Sequence, residues 1–182
     1  MLRILANKTR RRFRGVSRFC KSNRAATAVE FALVAPAFLA VIIALLQTTL
    51  YLFAQAALQN AANEAGRLFM TGQAQNGNWT ASTIQTKVCP LVQSLFTCSN
   101  IIVIVQDYTS FASANTSTPQ LYNNGQQVTS FAYNVGTPGD VMVVQLAYQW
   151  PVIGGPLGFT LANLPNGNAE LVGVSAFRVE PY

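Results

Sequence analysis

The chain contains no histidine among its 182 residues, and only 10 % of its residues are charged. Catalytic bases, nucleophile–base pairs and zinc sites rely heavily on histidine, so its absence argues against those classes of enzyme and metalloprotein. Hydrophobic residues make up 51 % of the chain, which is high for a soluble protein and favours a membrane protein or part of an assembly. We therefore expect no enzymatic activity, no metal and no cofactor.

Positive charge is confined to one end of the chain. Nine of the twelve basic residues precede Glu30, whereas the remainder from Ala25 onward carries three basic and six acidic residues, a net charge of −3. The overall charge of +6 therefore belongs to an N-terminal tail, not to a nucleic-acid-binding domain. We expect no nucleic acid partner.

A long run without charged residues extends from Phe31 to Asn63, and its most apolar part covers 31–54. A helix of about 20 residues crosses a hydrocarbon core of ~30 Å, so this part predicts a transmembrane helix. The basic residues on its N-terminal side predict a cytoplasmic N-terminus and an exported C-terminal part. A cleaved secretory signal is the alternative, because residues 54–56, AQA, fit a cleavage site, but the apolar run is longer than such signals have.

The helix is predicted to continue beyond the bilayer, because QAALQNAANEAGRLF, 55–69, consists largely of residues that helices favour. We predict a helix over 26–70, bent at Pro36 and ended by Gly66 or Gly72. Small residues recur every four positions along it, which would let another helix approach closely, although alanine is also simply common in helices. The residues predicted to pack against other helices are Ala28, Ala32, Ala40, Ala44, Ala57, Ala61 and Ala65.

Glu30 lies just before the apolar run, where a carboxylate needs a partner. One interpretation is that it stabilises the positive end of the helix dipole, by ~0.3–1 kcal/mol. In the other, the chain is cut between Ala25 and Ala26, and the new α-amino group lies one helical turn from Glu30 or meets Glu30 of a neighbouring subunit. The second interpretation makes Glu30 an assembly residue.

The pattern of a basic leader, a small residue, four further residues and then Glu30–Phe31 resembles type IV prepilins, whose leaders are cut by a membrane aspartyl prepilin peptidase. More narrowly, NRAATAVEFALVAP followed by AQAALQNAANEAGR resembles the TadE-like family, the minor pseudopilins of the tight-adherence (Tad, Flp) pilus, over residues 24–67. The resemblance implies that Ala25, Ala26, Glu30 and Phe31 form the processing segment. The family usually has glycine where this chain has Ala25.

The resemblance implies a structural protein that assembles or anchors a Tad pilus, and so supports adhesion and biofilm growth. Its implied partners are the prepilin peptidase, other pilins and pseudopilins, the Tad machinery and inner-membrane lipid. It would cross the bacterial inner membrane once, with its C-terminal domain in the periplasm or in a pilus. The alternative is an uncut bitopic protein that acts as a periplasmic scaffold of a secretion or pilus machine. The expected segments are a cytoplasmic leader, 1–25, a transmembrane and stalk helix, 26–70, and an exported head, 71–182.

The exported head is rich in Asn, Gln, Ser and Thr, and its apolar runs predict one helix and four strands. In the clearest strand, VMVVQLAYQW, apolar residues occupy one face and a mixed set the other. GTPG and PNGN predict turns before the last two strands. We predict an α+β, pilin-like fold in which a long N-terminal transmembrane helix continues into a small antiparallel sheet with a short helix. The predicted helix covers 82–96, and the strands cover 101–106, 128–134, 141–150 and 171–179.

Two of the three cysteines, Cys89 and Cys98, lie in the part predicted to be exported. An oxidising compartment favours a disulfide between them, and two buried thiols are the alternative. Cys20 lies on the predicted cytoplasmic side and is expected to stay free.

The segment PVIGGPLGF, 151–159, is apolar and rich in glycine and proline. Two interpretations are open at this point. The segment could touch the membrane or a partner subunit, or it could form a loop tucked over the sheet.

Overall fold

A computed structural model describes residues 23–155 and 158–181, and the predicted leader and Cys20 lie largely or wholly outside them. The chain begins with helix α1, Asn23–Met70, which contains Pro36 and carries Arg67 in its last turn. Gly72 follows with a φ of 72°, a left-handed conformation that glycine adopts without strain and that stops the helix. Among the described residues α1 is the one helix long and apolar enough to cross a membrane.

The rest of the chain forms two short helices, a 3₁₀ turn and five strands. Strands β1, β4 and β5 form an antiparallel sheet in the order β1-β4-β5, and β2 and β3 form a separate hairpin. This arrangement confirms the predicted α+β class. The elements are α2, Gln73–Asn76; α3, Ala81–Val92; the 3₁₀ turn Cys98–Asn100; β1, Ile102–Tyr108; β2, Tyr122–Asn123; β3, Gln126–Gln127; β4, Val141–Trp150; and β5, Ala169–Arg178.

The main core lies between one face of the sheet and the two longer helices. Alternate residues of β4 point into it, as the period-two pattern predicts, and α1 and α3 supply the opposite wall. Thr80 caps α3 by accepting a hydrogen bond from the Thr83 backbone N–H. The larger fully buried side chains of this core include Leu58, Phe69, Ile84, Met142, Leu146 and Leu171.

The second face of β4 is also buried, whereas the sequence pattern predicted only a mixed face. Val143 and Ala147 are inaccessible to solvent, and Gln145 is 4 % exposed. The Gln145 side-chain amide is satisfied because its Nε2 donates to the Ser117 carbonyl oxygen at 2.9 Å. Leu121, which is also buried, follows in the same segment. The segment before β2 therefore supplies a partner to this face and explains how it tolerates a glutamine.

The predicted strand over 128–134 is not formed. Only Tyr133 bridges β1, in parallel, because Val105 N–H donates to the Ala132 carbonyl and Asn134 N–H donates to the Val105 carbonyl. The Tyr133 hydroxyl instead donates to the Trp79 carbonyl at 2.7 Å. The segment thus makes only two backbone hydrogen bonds to the edge of β1, too few to form a strand.

The chain divides into two compact units. One comprises Met1–Leu46 with Gly155–Leu157, and the other comprises Gln47–Gly154 with Gly158–Tyr182. The second unit holds the sheet, α2, α3 and the C-terminal half of α1. The part of α1 from Gln47 to Met70 therefore belongs to the same compact unit as the sheet.

Candidate functional site

Most of the exposed apolar surface lies on α1. Thirteen of the sixteen large apolar side chains that are exposed among the described residues belong to the stretch 29–53, Phe31 and Leu33 among them at 73 % and 75 %. Exposed apolar patches of this extent are rare on soluble proteins and mark contact with lipid or with other proteins. The surface of α1 is thus the first candidate site.

The predicted processing segment lies at the start of this surface. Ala26, Glu30 and Phe31 are all exposed on α1, whereas the Ala25 side chain lies outside the described side chains. Glu30 and Ala26 are four residues apart in one helix, so they share a face. The geometry leaves the Glu30 carboxylate accessible to a partner.

The predicted alanine stripe divides into two parts. Of its N-terminal members, Ala28 and Ala32 are exposed, Ala44 is half-buried and Ala40 is buried. The C-terminal members Ala57, Ala61 and Ala65 belong to the core of the head or pack against it, and the last two are completely buried. The chain's own head covers Ala61 and Ala65, and packing of the exposed alanines against other helices stays a prediction.

A row of polar side chains on α1 runs along the free edge of β5, and we call it the polar ladder: Tyr51, Gln55 and Gln59. The Gln59 amide pairs with both backbone groups of Val174, since its Nε2 donates to the carbonyl at 2.7 Å and its Oε1 accepts from the N–H at 3.0 Å. Gln55 does the same with Val172, at 2.7 and 3.3 Å. The Tyr51 hydroxyl donates to the Glu170 carbonyl at 3.2 Å.

The side chains of the polar ladder reach successive backbone groups of β5 because the repeat distance along the helix nearly equals that along the strand. Four residues of a helix rise ~6.0 Å, and two residues of a strand rise about 6.8 Å. Side chains four apart on α1 therefore meet backbone groups two apart on β5. An edge strand exposes unpaired N–H and C=O groups that could pair with another chain, and the ladder satisfies them within the molecule.

The same contact depends on the absence of side chains at two glycines. A Cβ atom added at Gly173 of β5 would lie 2.5 Å from the Leu58 carbonyl oxygen and 3.0 Å from the Ala62 Cβ. One added at Gly66 of α1 would collide with the Ser175 side chain. Helix and strand therefore approach as closely as their backbones allow, which positions the amides of the polar ladder.

The other predicted side-chain site concerns the two cysteines. The structure joins Cys89, in α3, to Cys98, in the 3₁₀ turn, by a disulfide, with their Cα atoms 5.5 Å apart. The bond ties the end of α3 to the start of β1. No cluster of three or more potential metal-ligating side chains occurs in residues 23–155 and 158–181.

Glu170, at the start of β5, is a partly buried carboxylate. Its Oε1 is buried without a hydrogen-bond partner among the described residues, and so is Nε2 of Gln149, its neighbour across the strands. Burial raises the pKa of Glu170 above its ordinary value of 4.5. The folded state therefore favours the protonated carboxyl, and stability present at low pH is lost as the pH rises through the raised pKa.

Glu170→Gln is accordingly expected to stabilise the head at pH 8 and to have little effect at pH 4, where the wild-type carboxyl is largely protonated. Thermal unfolding of the full chain in detergent, followed by the fluorescence of Trp79 and Trp150, would measure the difference. Glu64→Gln is the control, because hydrogen bonding to Arg67 lowers the pKa of Glu64 and its exposed pair contributes little. Equal effects of Glu170→Gln on the unfolding temperature at both pH values would contradict the raised pKa of Glu170.

The apolar surface of α1 and the sheet clasped to its C-terminal half define a class: a candidate single-span membrane protein with a small α+β head. The family model described as TadE-like protein matches residues 25–67, which confirms the predicted resemblance over 43 residues, all of them in α1. That family is structural, related to pili and not known as enzymatic. Neither a curated protein nor a solved structure matches the chain.

Proposed function

We propose that the protein is a minor pseudopilin that supports the assembly or anchoring of a Tad pilus, and thereby adhesion. It spans the inner membrane once through α1, with the basic leader in the cytoplasm and the head exported. Its partners are the prepilin peptidase, other pilins and pseudopilins, and the Tad machinery. The observation that carries the proposal is that the TadE-like match starts at residue 25, next to the proposed cut.

Three further observations support this assignment. The N-terminal part of α1 exposes large apolar side chains that lipid or neighbouring subunits would cover. Glu30 is accessible at the fifth position of the proposed product. The Cys89–Cys98 bond suits an oxidising compartment, and we propose that it forms after export.

Cleavage between Ala25 and Ala26 is the first test. The full chain would be produced in membranes with and without a prepilin peptidase, and its intact mass and N-terminal sequence measured. A product that begins at Ala26 only with the peptidase, and that weighs ~2 Da less before reduction than after it, supports the proposal. Ala25→Gly, which restores the usual family residue, should be cut at least as well.

If the N-terminus stays at Met1 in both the wild-type chain and the Ala25→Gly variant, the proposal that the protein is a pseudopilin is rejected. It would favour an uncut bitopic scaffold, the function that the departure at Ala25 supports. A start at Ala57 or Leu58, at the end of the AQA site, would instead indicate a signal peptide.

Glu30→Gln is expected to leave cleavage unchanged and to abolish co-purification with other pilin subunits. A charge in lipid that loses its partner costs about 3–5 kcal/mol, enough to disfavour the assembled state. Glu64→Gln is the matched control, because it removes another carboxylate of α1 that pairs only with Arg67 at the surface. Unchanged co-purification of Glu30→Gln would show that the Glu30 charge is not needed for assembly, and α1 begins at Asn23, so Glu30 also lies beyond the first turn where the helix dipole acts.

A further inference from the structure

The connection from β4 to β5 begins with an unusually exposed apolar segment, 151–154, which we call the apolar loop. Ile153, in this loop, is 78 % exposed, the highest fraction among the sixteen exposed large apolar side chains of the described residues. No charged residue occurs between Trp150 and Asn168. The exposed Ile153 side chain therefore has no charged residue near it in this connection.

The apolar loop lies beside the part of α1 that is predicted to lie in the bilayer. Since β5 runs parallel to α1, the start of β5 lies near Tyr51, and the connection before it lies one helical turn earlier. The Gln47 Nε2 donates to the Ile153 carbonyl oxygen at 3.1 Å. A span of about 20 residues that begins at Phe31 ends near Leu50, so Gln47 falls in its last turn.

The apolar loop is not packed down on the sheet. It leaves a cavity of about 130 Å³, lined largely by apolar side chains that include Leu50, Trp150, Val152 and Leu161. Trp150, at the end of β4, is a residue type enriched where proteins meet the membrane–water interface. The apolar loop and the cavity thus form one apolar surface at the level where α1 would leave the hydrocarbon, and Trp150, which packs on Phe96, forms its wall on the side of the sheet.

We infer that the apolar loop inserts into the lipid leaflet on the side of the head, where acyl chains contact Ile153. The inference rests on the proposed membrane span of α1. The head then touches the bilayer at a second point, which limits its tilt about the helix. Removal of the subunit from the membrane requires withdrawal of the loop as well as the helix.

Photo-crosslinking would test this contact in the full chain. The photoreactive residue p-benzoylphenylalanine would replace Ile153, Leu39 or Phe111, one at a time, in vesicles of phosphatidylethanolamine and phosphatidylglycerol. Leu39 reports the span of α1. Phe111 is the matched control: it is apolar and 59 % exposed, but it follows the end of β1 that pairs with Val141, the opposite end of β4 from Trp150 and roughly 30 Å away.

The expected result is lipid adducts at positions 39 and 153, each in several-fold excess over position 111. Adducts at 39 alone overturn the inference and leave the proposed membrane span intact. Adducts at neither position overturn both. A crosslink from position 153 to a second copy of the chain would assign the loop to a subunit contact, and equal adducts at 111 would show unspecific contact of the head with lipid; either result overturns the inference.

Discussion

Gly173→Ala is expected to lower the free energy of unfolding of the head by about 1–3 kcal/mol, the usual cost of overpacking. The new Cβ would lie 2.5 Å from the Leu58 carbonyl oxygen, which belongs to the backbone of α1 and has no alternative rotamer. The strand must then move away from the helix, and the amides of the polar ladder lose their geometry. Thermal unfolding of the full chain in detergent, followed by tryptophan fluorescence, measures the loss as a lower Tm.

Gly154→Ala provides the matched control for this substitution. A Cβ at Gly154 meets nothing within 4 Å, and the residue has no positive φ. Alanine there should leave Tm unchanged or raise it slightly, because it restricts the unfolded chain. If Gly173→Ala and Gly154→Ala shift Tm alike, the close approach of β5 to α1 is not what stabilises the head.

The double substitution Gln55→Ala with Gln59→Ala is expected to destabilise the head by about 1–3 kcal/mol, even though alanine is the better helix former. It removes four hydrogen bonds to β5 and one from Gln59 to Asn63, and leaves the backbone groups of Val172 and Val174 without their partners on α1. Residue-resolved amide hydrogen exchange offers a second readout. The Val172 and Val174 N–H groups should exchange faster than in the wild-type chain.

Asn60→Ala is the control for the polar ladder, since it removes an exposed amide from the same helix. It should change neither Tm nor the exchange at β5. A double variant with wild-type exchange at Val172 and Val174 would show that the ladder does not protect this edge.

The long helix and the strands β1, β4 and β5 could be predicted because each is an apolar run bounded by turn residues. The turn PNGN, for example, lies immediately before β5, and Gly167 in it has a φ of 80°. The segment 128–134 misled the prediction because it has strand-like residues but a partner for only two hydrogen bonds. The adjoining hairpin was missed although Asn124-Gly125, both with positive φ, is a strong hairpin signal.

Pattern alone does not identify which surface will cover a helix face. Ala61 and Ala65 have the spacing that suits helix packing, but both are completely buried in the core of the chain's own head. The sequence does contain a pattern that indicates the polar ladder. Polar residues recur every four positions, at 47, 51, 55, 59 and 63, in a helix that is otherwise largely apolar. That stripe marks a polar partner, but the backbone of β5 is identifiable as that partner only in the folded chain.

Both outer strands of the sheet have partners within the chain. The polar ladder covers β5, and residues 132–134 cover part of β1. Addition of a strand from another subunit would have to displace these contacts. Contacts with other subunits of the proposed pilus are therefore expected at exposed side chains, most of which lie on α1, and not at the strand edges.

The polar ladder also determines how late in synthesis the contact between α1 and β5 can form. Gln55 and Val172 are 117 residues apart, so their hydrogen bonds can form only once nearly the whole chain has been made. Contacts this distant in sequence slow folding, because a large loop must close first. A chain that ends before β5 therefore lacks both the third strand of the sheet and the backbone groups with which the polar ladder pairs.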